Sequence, residues 1–148
     1  MNYTAVVVQL PLVRECKQER ARTPEDVAGI CADLGNLAQE SFHTLILNSK
    51  NRLINRVMVS MGIVDASLVH PREVFRQAVA ENASAVLLVH NHPSGDPTPS
   101  AEDIRITRQM IEAGRILDIK VLDHVIIGRK SESTQGFLSM RESGLCEF

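Results

Sequence analysis

The chain has 148 residues, of which 44% are hydrophobic and 23% are charged, and this composition predicts one globular domain with its own core. Its formal net charge of −2 excludes the overall basic field that draws proteins to nucleic acids. Aromatic residues make up only 3% of the chain and Trp is absent, which argues against a stacking platform for single-stranded bases.

The N-terminal residues and the cysteines bear on the cellular compartment. The first fifteen residues carry no basic region, and their apolar run is too short for a signal peptide or a membrane span. Cys16, Cys31 and Cys146 are scattered and form no CxxC pair, which predicts a reducing compartment without a disulfide framework. We therefore expect a cytoplasmic protein with no membrane partner.

The first half of the chain predicts a strand, a helix and a hairpin. Thr23 and Pro24 are typical of a helix start, as the cap and the first helical position. Apolar residues at helical spacing extend this helix to about Ala38. Turn residues at 48–51 separate two β-like runs. The predicted elements are a strand over residues 3–10, a helix over 23–38, and hairpin strands over 42–47 and 52–60.

The second half alternates helices with buried strands. A helix opens at His70, with Val79 on its apolar face and Asn82 as a C-cap. Continuous apolar runs over 85–89 and 119–127 predict interior strands, with a helix over 100–114 between them and a short strand near 136–138. This order of elements predicts an α/β fold, a mixed β-sheet flanked by helices in a single domain.

Two histidines follow the predicted strand over residues 85–89. Residues i and i+2 of an extended segment point to the same face, so the rings of His90 and His92 can converge on one ion. Each imidazole nitrogen this close to a buried strand needs a partner. The alternative interpretation is a pair of surface histidines at a strand end.

A stiff loop and a helix start follow the histidines. Residues 93–99 contain three prolines and a glycine, which predicts a loop that brings the next helix back beside the strand end. Asp103 in the first turn would add a third ligand and leave one position of a tetrahedral zinc site open for water. Ser100 and Asp103 also fit a helix capping box, and the two roles are compatible.

The residues His90-x-His92-Pro93, the loop to Pro99, Ser100 and Asp103 match the JAMM motif of the JAB/MPN metalloprotease superfamily. Within that superfamily the segments 70–79, 89–104 and 121–128 resemble the RadC branch. The resemblance implies a JAB/MPN, cytidine-deaminase-like fold. We expect residues 35–148 to form this domain and residues 1–34 to lead into it as a strand and a helix.

The resemblance also implies a catalytic glutamate. JAMM proteins carry an upstream Glu that contacts the metal-bound water, and in RadC-like proteins it precedes a strand of the form Glu-x-Phe-x-x-Leu-x-Leu. Residues 40–47 match this pattern, which assigns the role to Glu40. The competing residues Glu25, Glu73 and Glu81 open no comparable strand.

The resemblance implies a reaction as well as a site. His90, His92 and Asp103 would hold one Zn²⁺ per chain, with Glu40 as the general base and Ser100 as a hydrogen-bond donor to the oxyanion. The implied function is a zinc-dependent metallohydrolase that cleaves a peptide, isopeptide or related amide bond in a protein or peptide partner. His124, beside Asp123, is expected to form hydrogen bonds behind the ligands or within the core.

Two other functions compete with hydrolysis. The RadC family carries a DNA-repair label, so the first alternative is a DNA-associated accessory protein without peptidase activity. The slightly acidic net charge does not support DNA as a partner, and residues 1–34 lack the glycine pattern of a helix-hairpin-helix. The second alternative is a catalytically silent scaffold, which the intact ligand set argues against. Substrate identity and oligomeric state stay open at this point.

Overall fold

A mixed five-stranded sheet forms the centre of the computed structural model, which describes residues 19–62 and 69–148. The strand predicted over residues 3–10 lies outside these ranges. The observed elements are helix α1 (Pro24–Ile30), a 3-10 helix (Ala32–Asn36), strands β1 (Ser41–Leu47) and β2 (Leu53–Met61), helix α2 (Pro71–Ala80), strand β3 (Ala85–Asn91), helix α3 (Ala101–Leu117), and strands β4 (Lys120–Ile127) and β5 (Phe137–Ser139).

The strand order in the sheet is β2-β1-β3-β4-β5. β1 is antiparallel to both β2 and β3, β4 is parallel to β3, and β5 is antiparallel to β4. Parallel neighbours need a crossover connection, and α3 provides it between β3 and β4. The α/β fold with a mixed sheet and flanking helices is therefore confirmed.

The sheet is covered on both faces. Helices α2 and α3 pack on the front face, where the core includes Phe42, Leu88 and Met110. Helix α1 and the 3-10 helix pack on the rear face, where the core includes Leu45 and Val89. β1 and β3 are buried along their whole length, although each strand carries polar residues as well as apolar ones.

Helix α1 is shorter than its apolar spacing predicts. Thr23 and Asp26 form the capping box at its start, but the helix ends at Ile30 instead of continuing to Ala38. The Cys31 N–H contacts the carbonyls of both Gly29 and Val27, and the chain tightens into the 3-10 helix. Leu34 still reaches the rear core from there, so the predicted apolar spacing is satisfied by two short elements.

Helices α2 and α3 show how local residues set the ends and the packing. Val79 is 51% exposed, so the prediction that it belongs to the buried face of α2 is wrong. The C-cap of α2 is Glu81, and Asn82 follows it with a φ of 52°. A Cβ on Gly114 would lie 2.5 Å from the Ile119 carbonyl oxygen, so glycine is required where α3 approaches the start of β4.

No helix within residues 19–62 and 69–148 is long and apolar enough to cross a membrane.

Candidate metal centre

Three elements meet at one end of the sheet and bring four polar side chains together. His90 lies at the end of β3 and His92 follows that strand, while Asp103 lies in the first turn of α3. β1 runs antiparallel to β3 with Phe42 paired to His90, so the residue before β1 arrives beside the end of β3. That residue is Glu40, and the sheet register therefore places it at the histidines.

The ligand atoms of Glu40, His90, His92 and Asp103 all lie within 4.8 Å of one another. His90 Nε2 is 3.0 Å from His92 Nε2 and 3.3 Å from Asp103 Oδ1. His92 Nε2 is 3.1 Å from Asp103 Oδ2, and Glu40 Oε1 is 3.6 Å from His90 Nε2. Two imidazole nitrogens and a carboxylate converging on one point form a donor set that suits a metal ion. The structure thus brings these four predicted residues together, and their roles as metal ligands and catalytic groups stay predictions.

The loop between the histidines and α3 is held by main-chain contacts. The Arg129 guanidinium donates to the Pro93 and Ser94 carbonyls, both at 2.9 Å. Gly128 packs so closely that a Cβ there would lie 2.2 Å from the Gly95 carbonyl oxygen. Asp96 behaves as a turn residue, since its Oδ1 accepts from the Thr98 N–H and hydroxyl. The two residues that follow β4 thereby fix the loop that carries the chain from His92 to Asp103.

The start of α3 combines a capping box with the metal cluster. The Ser100 Oγ accepts from the Asp103 N–H at 3.0 Å, and the Ser100 N–H donates to Asp103 Oδ2 at 2.9 Å. The same Oδ2 atom faces His92, so capping orients the carboxylate toward the histidines. Because Ser100 Oγ is the acceptor in the cap, its hydroxyl proton is left for another partner. The capping role of Ser100 is confirmed, and its catalytic role stays a prediction.

The two carboxylates of the cluster have opposite pKa shifts. Burial favours the protonated form of Asp103, but the contacts of its carboxylate with the His90 and His92 rings outweigh burial and hold the pKa of Asp103 far below its usual value. Burial raises the pKa of Glu40, and the nearby imidazoles only partly oppose this. Asp103 therefore stays a carboxylate, which suits a ligand, while Glu40 holds a proton more readily, which suits a proton carrier.

A chain of side chains extends behind His90 on the front face of the sheet. His90 Nδ1 is 2.7 Å from His124 Nε2, and His124 Nδ1 is 2.5 Å from the Thr107 hydroxyl. That hydroxyl donates to the Asp103 carbonyl oxygen at 2.6 Å. We call His90, His124, Thr107 and the Asp103 carbonyl the front network. Burial lowers the pKa of His124 well below its usual value, so its imidazole is neutral.

A second set of hydrogen bonds lies on the rear face, and sequence analysis missed it. The Asn91 carboxamide donates to the Gln39 carbonyl at 3.0 Å and accepts from the Ser41 N–H at 2.7 Å. These two hydrogen bonds fix the main chain on both sides of Glu40. Behind it, His43 Nε2 is 3.0 Å from Ser41 Oγ, and Arg56 joins His43 to Asp33. The rear network consists of Asn91, Ser41, His43, Arg56 and Asp33.

Simple spacing rules would have found some of these missed residues. Asn91 lies between two candidate ligands on an extended strand, so alternation directs its side chain to the opposite face. Thr107 is four residues after Asp103 on a helix and therefore shares its face. His124 was expected to hydrogen-bond behind the ligands or in the core, and its fully buried contact with His90 agrees with that expectation.

The sequence of the chain is similar to one family model and to curated relatives. A family model described as a RadC-like JAB domain matches residues 21–145. A UPF0758 protein of Desulforamulus reducens is 50% identical over 125 residues, which cover 84% of this chain and 53% of the relative. A UPF0758 protein of Listeria monocytogenes is 44% identical over 137 residues, covering 92% and 59%. The chain spans about half the length of these curated relatives.

Proposed function

The chain belongs to the RadC-like JAB domain family, and from that premise we propose that it is a zinc-dependent hydrolase of a peptide, isopeptide or related amide bond. The observation that carries the proposal is the convergence of Glu40, His90, His92 and Asp103 within 4.8 Å. The partner in this proposal is a protein or peptide substrate that presents the scissile bond.

The donor set supports zinc as the metal. His90, His92 and Asp103 supply two nitrogens and one carboxylate oxygen, which matches the three protein ligands of catalytic zinc sites and leaves a fourth position open. His92 Nδ1 lies 2.9 Å from the Asp96 carbonyl, which accepts only, so Nδ1 carries the proton and Nε2 presents a lone pair. When bound, zinc would supply a Lewis acid that acidifies a coordinated water toward neutral pH.

Two residues would then move or stabilise charge in the reaction. The Glu40 side chain is 30% exposed at the rim of the cluster, so it can take a proton from the attacking water and deliver it to the leaving amine. Its raised pKa, caused by burial, brings it closer to the range in which a carboxylate exchanges protons efficiently. Ser100, with its hydroxyl proton not used in the cap, would donate to the oxygen that gains charge.

The experiment combines metal analysis with a cleavage screen. Protein purified without chelator is assayed for zinc content and then tested on peptide and isopeptide libraries, together with Glu40→Gln and the control Glu73→Gln. We expect one zinc per chain in all three proteins and cleavage by wild type and Glu73→Gln. We expect the Glu40→Gln variant to lose at least about a hundredfold in turnover, as a missing general base does.

Three results would contradict parts of this proposal. Turnover by Glu40→Gln equal to wild type would remove Glu40 as the base. Zinc-loaded protein that cleaves neither library would contradict amide hydrolysis. A DNA affinity that falls steeply with salt, in protein without cleavage activity, would favour the accessory role instead.

A further inference from the structure

The front network consists of contacts that can each carry only one proton. His90 Nδ1, His124 Nε2, His124 Nδ1 and the Thr107 hydroxyl follow one another at 2.7 Å and 2.5 Å across the ring of His124. Both His124 and Thr107 have no exposed surface, so water does not supply alternative partners. The direction of one hydrogen bond in such a chain therefore sets the direction of all the others.

The Asp103 carbonyl sets that direction. A carbonyl oxygen has no proton to give, and it lies 2.6 Å from Thr107 Oγ1, a distance at which two oxygens need a proton between them. The Met140 sulfur, 3.5 Å from Oγ1, is only a weak acceptor, so the Thr107 hydroxyl proton is committed to Asp103 and Oγ1 can only accept from His124. His124 must then carry its proton on Nδ1 and present a lone pair at Nε2.

The remaining contact decides the state of the metal-facing histidine. Because His124 Nε2 is an acceptor, His90 must donate to it from Nδ1, and His90 Nε2 is left with a lone pair. That Nε2 atom is the one that faces His92 and Asp103 in the cluster. The Asp96 carbonyl imposes the same arrangement on His92 by a direct contact at 2.9 Å.

We propose that Thr107 and His124 are positioning residues, which hold His90 in the tautomer whose Nε2 lone pair points into the metal site. The inference rests on the proposed zinc site and adds a mechanism by which the apoprotein is prepared for the ion. It also links two ligand residues, since the main chain of Asp103 selects the tautomer of His90. Hydrogen-bonding partners behind a ligand typically account for about 10- to 100-fold in metal affinity.

The reverse order of protons is the competing arrangement. In that order the Thr107 hydroxyl donates to His124, His124 donates to His90, and His90 Nε2–H faces Asp103 Oδ1 at 3.3 Å. Zinc could then bind only after both imidazoles exchanged their protons. The two orders differ at every ring nitrogen of His90 and His124, so they can be distinguished directly.

The test reads the tautomers in the full chain without metal. Two-bond ¹H–¹⁵N correlation spectra at about pH 8.5, where unpaired imidazoles are neutral, assign the protonated nitrogen of each ring. We expect Nδ1–H for both His90 and His124 in wild type. A His90 ring protonated at Nε2 would overturn the proposal, and this measurement needs no substitution.

Substitutions at Thr107 provide the second measurement. Thr107→Val keeps the shape of the side chain but removes the hydroxyl, whereas Thr107→Ser keeps the hydroxyl and serves as the matched control. We expect Thr107→Val to shift His90 toward Nε2–H and to weaken Zn²⁺ binding about 10- to 100-fold in chelator competition. We expect Thr107→Ser to keep the wild-type tautomer. Wild-type affinity and wild-type tautomers in Thr107→Val would refute the role of Thr107.

These readouts separate the inference from the proposed hydrolysis. A protein with the expected tautomers and zinc affinity that cleaves no amide would leave the tautomer mechanism intact and contradict the reaction. An active zinc hydrolase whose His90 is protonated at Nε2 in the metal-free form would support the reaction and contradict the tautomer mechanism.

Discussion

The front and rear networks lie on opposite faces of the same sheet and share only strand β3, yet they act on different parts of the molecule. The front network ends on the ring nitrogen of His90 and controls a side chain. The rear network ends on the main chain at Gln39 and Ser41 and controls where the backbone carries Glu40. Alternation along β3 allows this division, because His90 and Asn91 are neighbours that point to opposite faces.

The comparison teaches that Glu40 and the other residues of the cluster are held by independent means. His90 and Asp103 are tied together by the front network, while Glu40 depends on a carboxamide that touches none of the cluster's ligand atoms. The rear network also extends from the buried Asn91 to the exposed Asp33. Its members should therefore differ widely in what they contribute to stability.

The largest expected effect comes from the buried end of the rear network. Asn91→Leu leaves the Gln39 carbonyl and the Ser41 N–H without their partner, while the Ser41 hydroxyl keeps its contact with His43. Each unpaired buried group costs about 1–3 kcal/mol, so we expect the free energy of unfolding in denaturant to fall by about 4 kcal/mol. The control is Asn55→Leu, which removes one half-buried contact with Glu81 and should cost about 1 kcal/mol. Equal losses in the two variants would contradict the special role of Asn91.

The next effect depends on pH and on the middle of the rear network. Burial first, and then the Arg56 charge, lowers the pKa of His43 from 6.5 to about 4. Between these values the unfolded state binds the proton and the folded state does not, so stability is lost as the pH falls from about 6.5 to 4. Below pH 4 both states are protonated and the loss levels off.

The variant His43→Gln isolates this contribution. The shift of about 2.5 units between 6.5 and 4 corresponds to about 3 kcal/mol. We expect metal-free wild type to lose about that much more unfolding free energy than His43→Gln between pH 7 and pH 4. The other histidines are present in both proteins, so their titration cancels in the difference. Parallel pH profiles for the two proteins would contradict a buried neutral His43.

Much of the front face could be predicted from sequence because its signals are local. The spacing of His90, His92 and Asp103 lies within one strand–loop–helix unit, and the capping box at Ser100 is a local pattern. Glu40 came only from the family resemblance, since it reaches the cluster through the pairing of β1 with β3. Periodicity within a segment carries no information about which strands become neighbours.

The rear network was missed for a physical reason of the same kind. Asn91 and Ser41 are fifty positions apart in the chain, and an asparagine at a strand end is ordinary in any sequence. The end of α1 was misjudged because Leu34 keeps a helical spacing to Val27 although a 3-10 helix carries it. Spacing predicts which face a residue buries, but the turn type depends on how the chain must fit against the sheet.

Zinc binding should distinguish the metal cluster from the outer end of the rear network. At a free concentration of 100 times its Kd, a ligand that binds only the folded state adds about 2.7 kcal/mol to the free energy of unfolding. We expect this gain in wild type and in Asp33→Asn, whose substitution lies far out on the rear network. His92→Ala should show no gain under the same conditions, because one of the three proposed ligands is missing. A full gain in His92→Ala would place the zinc elsewhere.

The smallest effect belongs to the exposed end of the rear network. Arg56 contacts both Asp33 carboxylate oxygens at 2.9 Å, but the Asp33 side chain is 62% exposed and solvent screens the pair. We expect Asp33→Asn to lower the unfolding free energy by about 0.5 kcal/mol, and less at 1 M salt. A loss above about 2 kcal/mol would mean that Asp33 holds Arg56 in contact with His43. The exposed ion pair would then support the buried hydrogen bonds on both sides of Glu40. A small loss would show instead that Asn91 and Ser41 hold the main chain around Glu40 without help from the exposed pair. Burial would then decide how much each hydrogen bond contributes to stability.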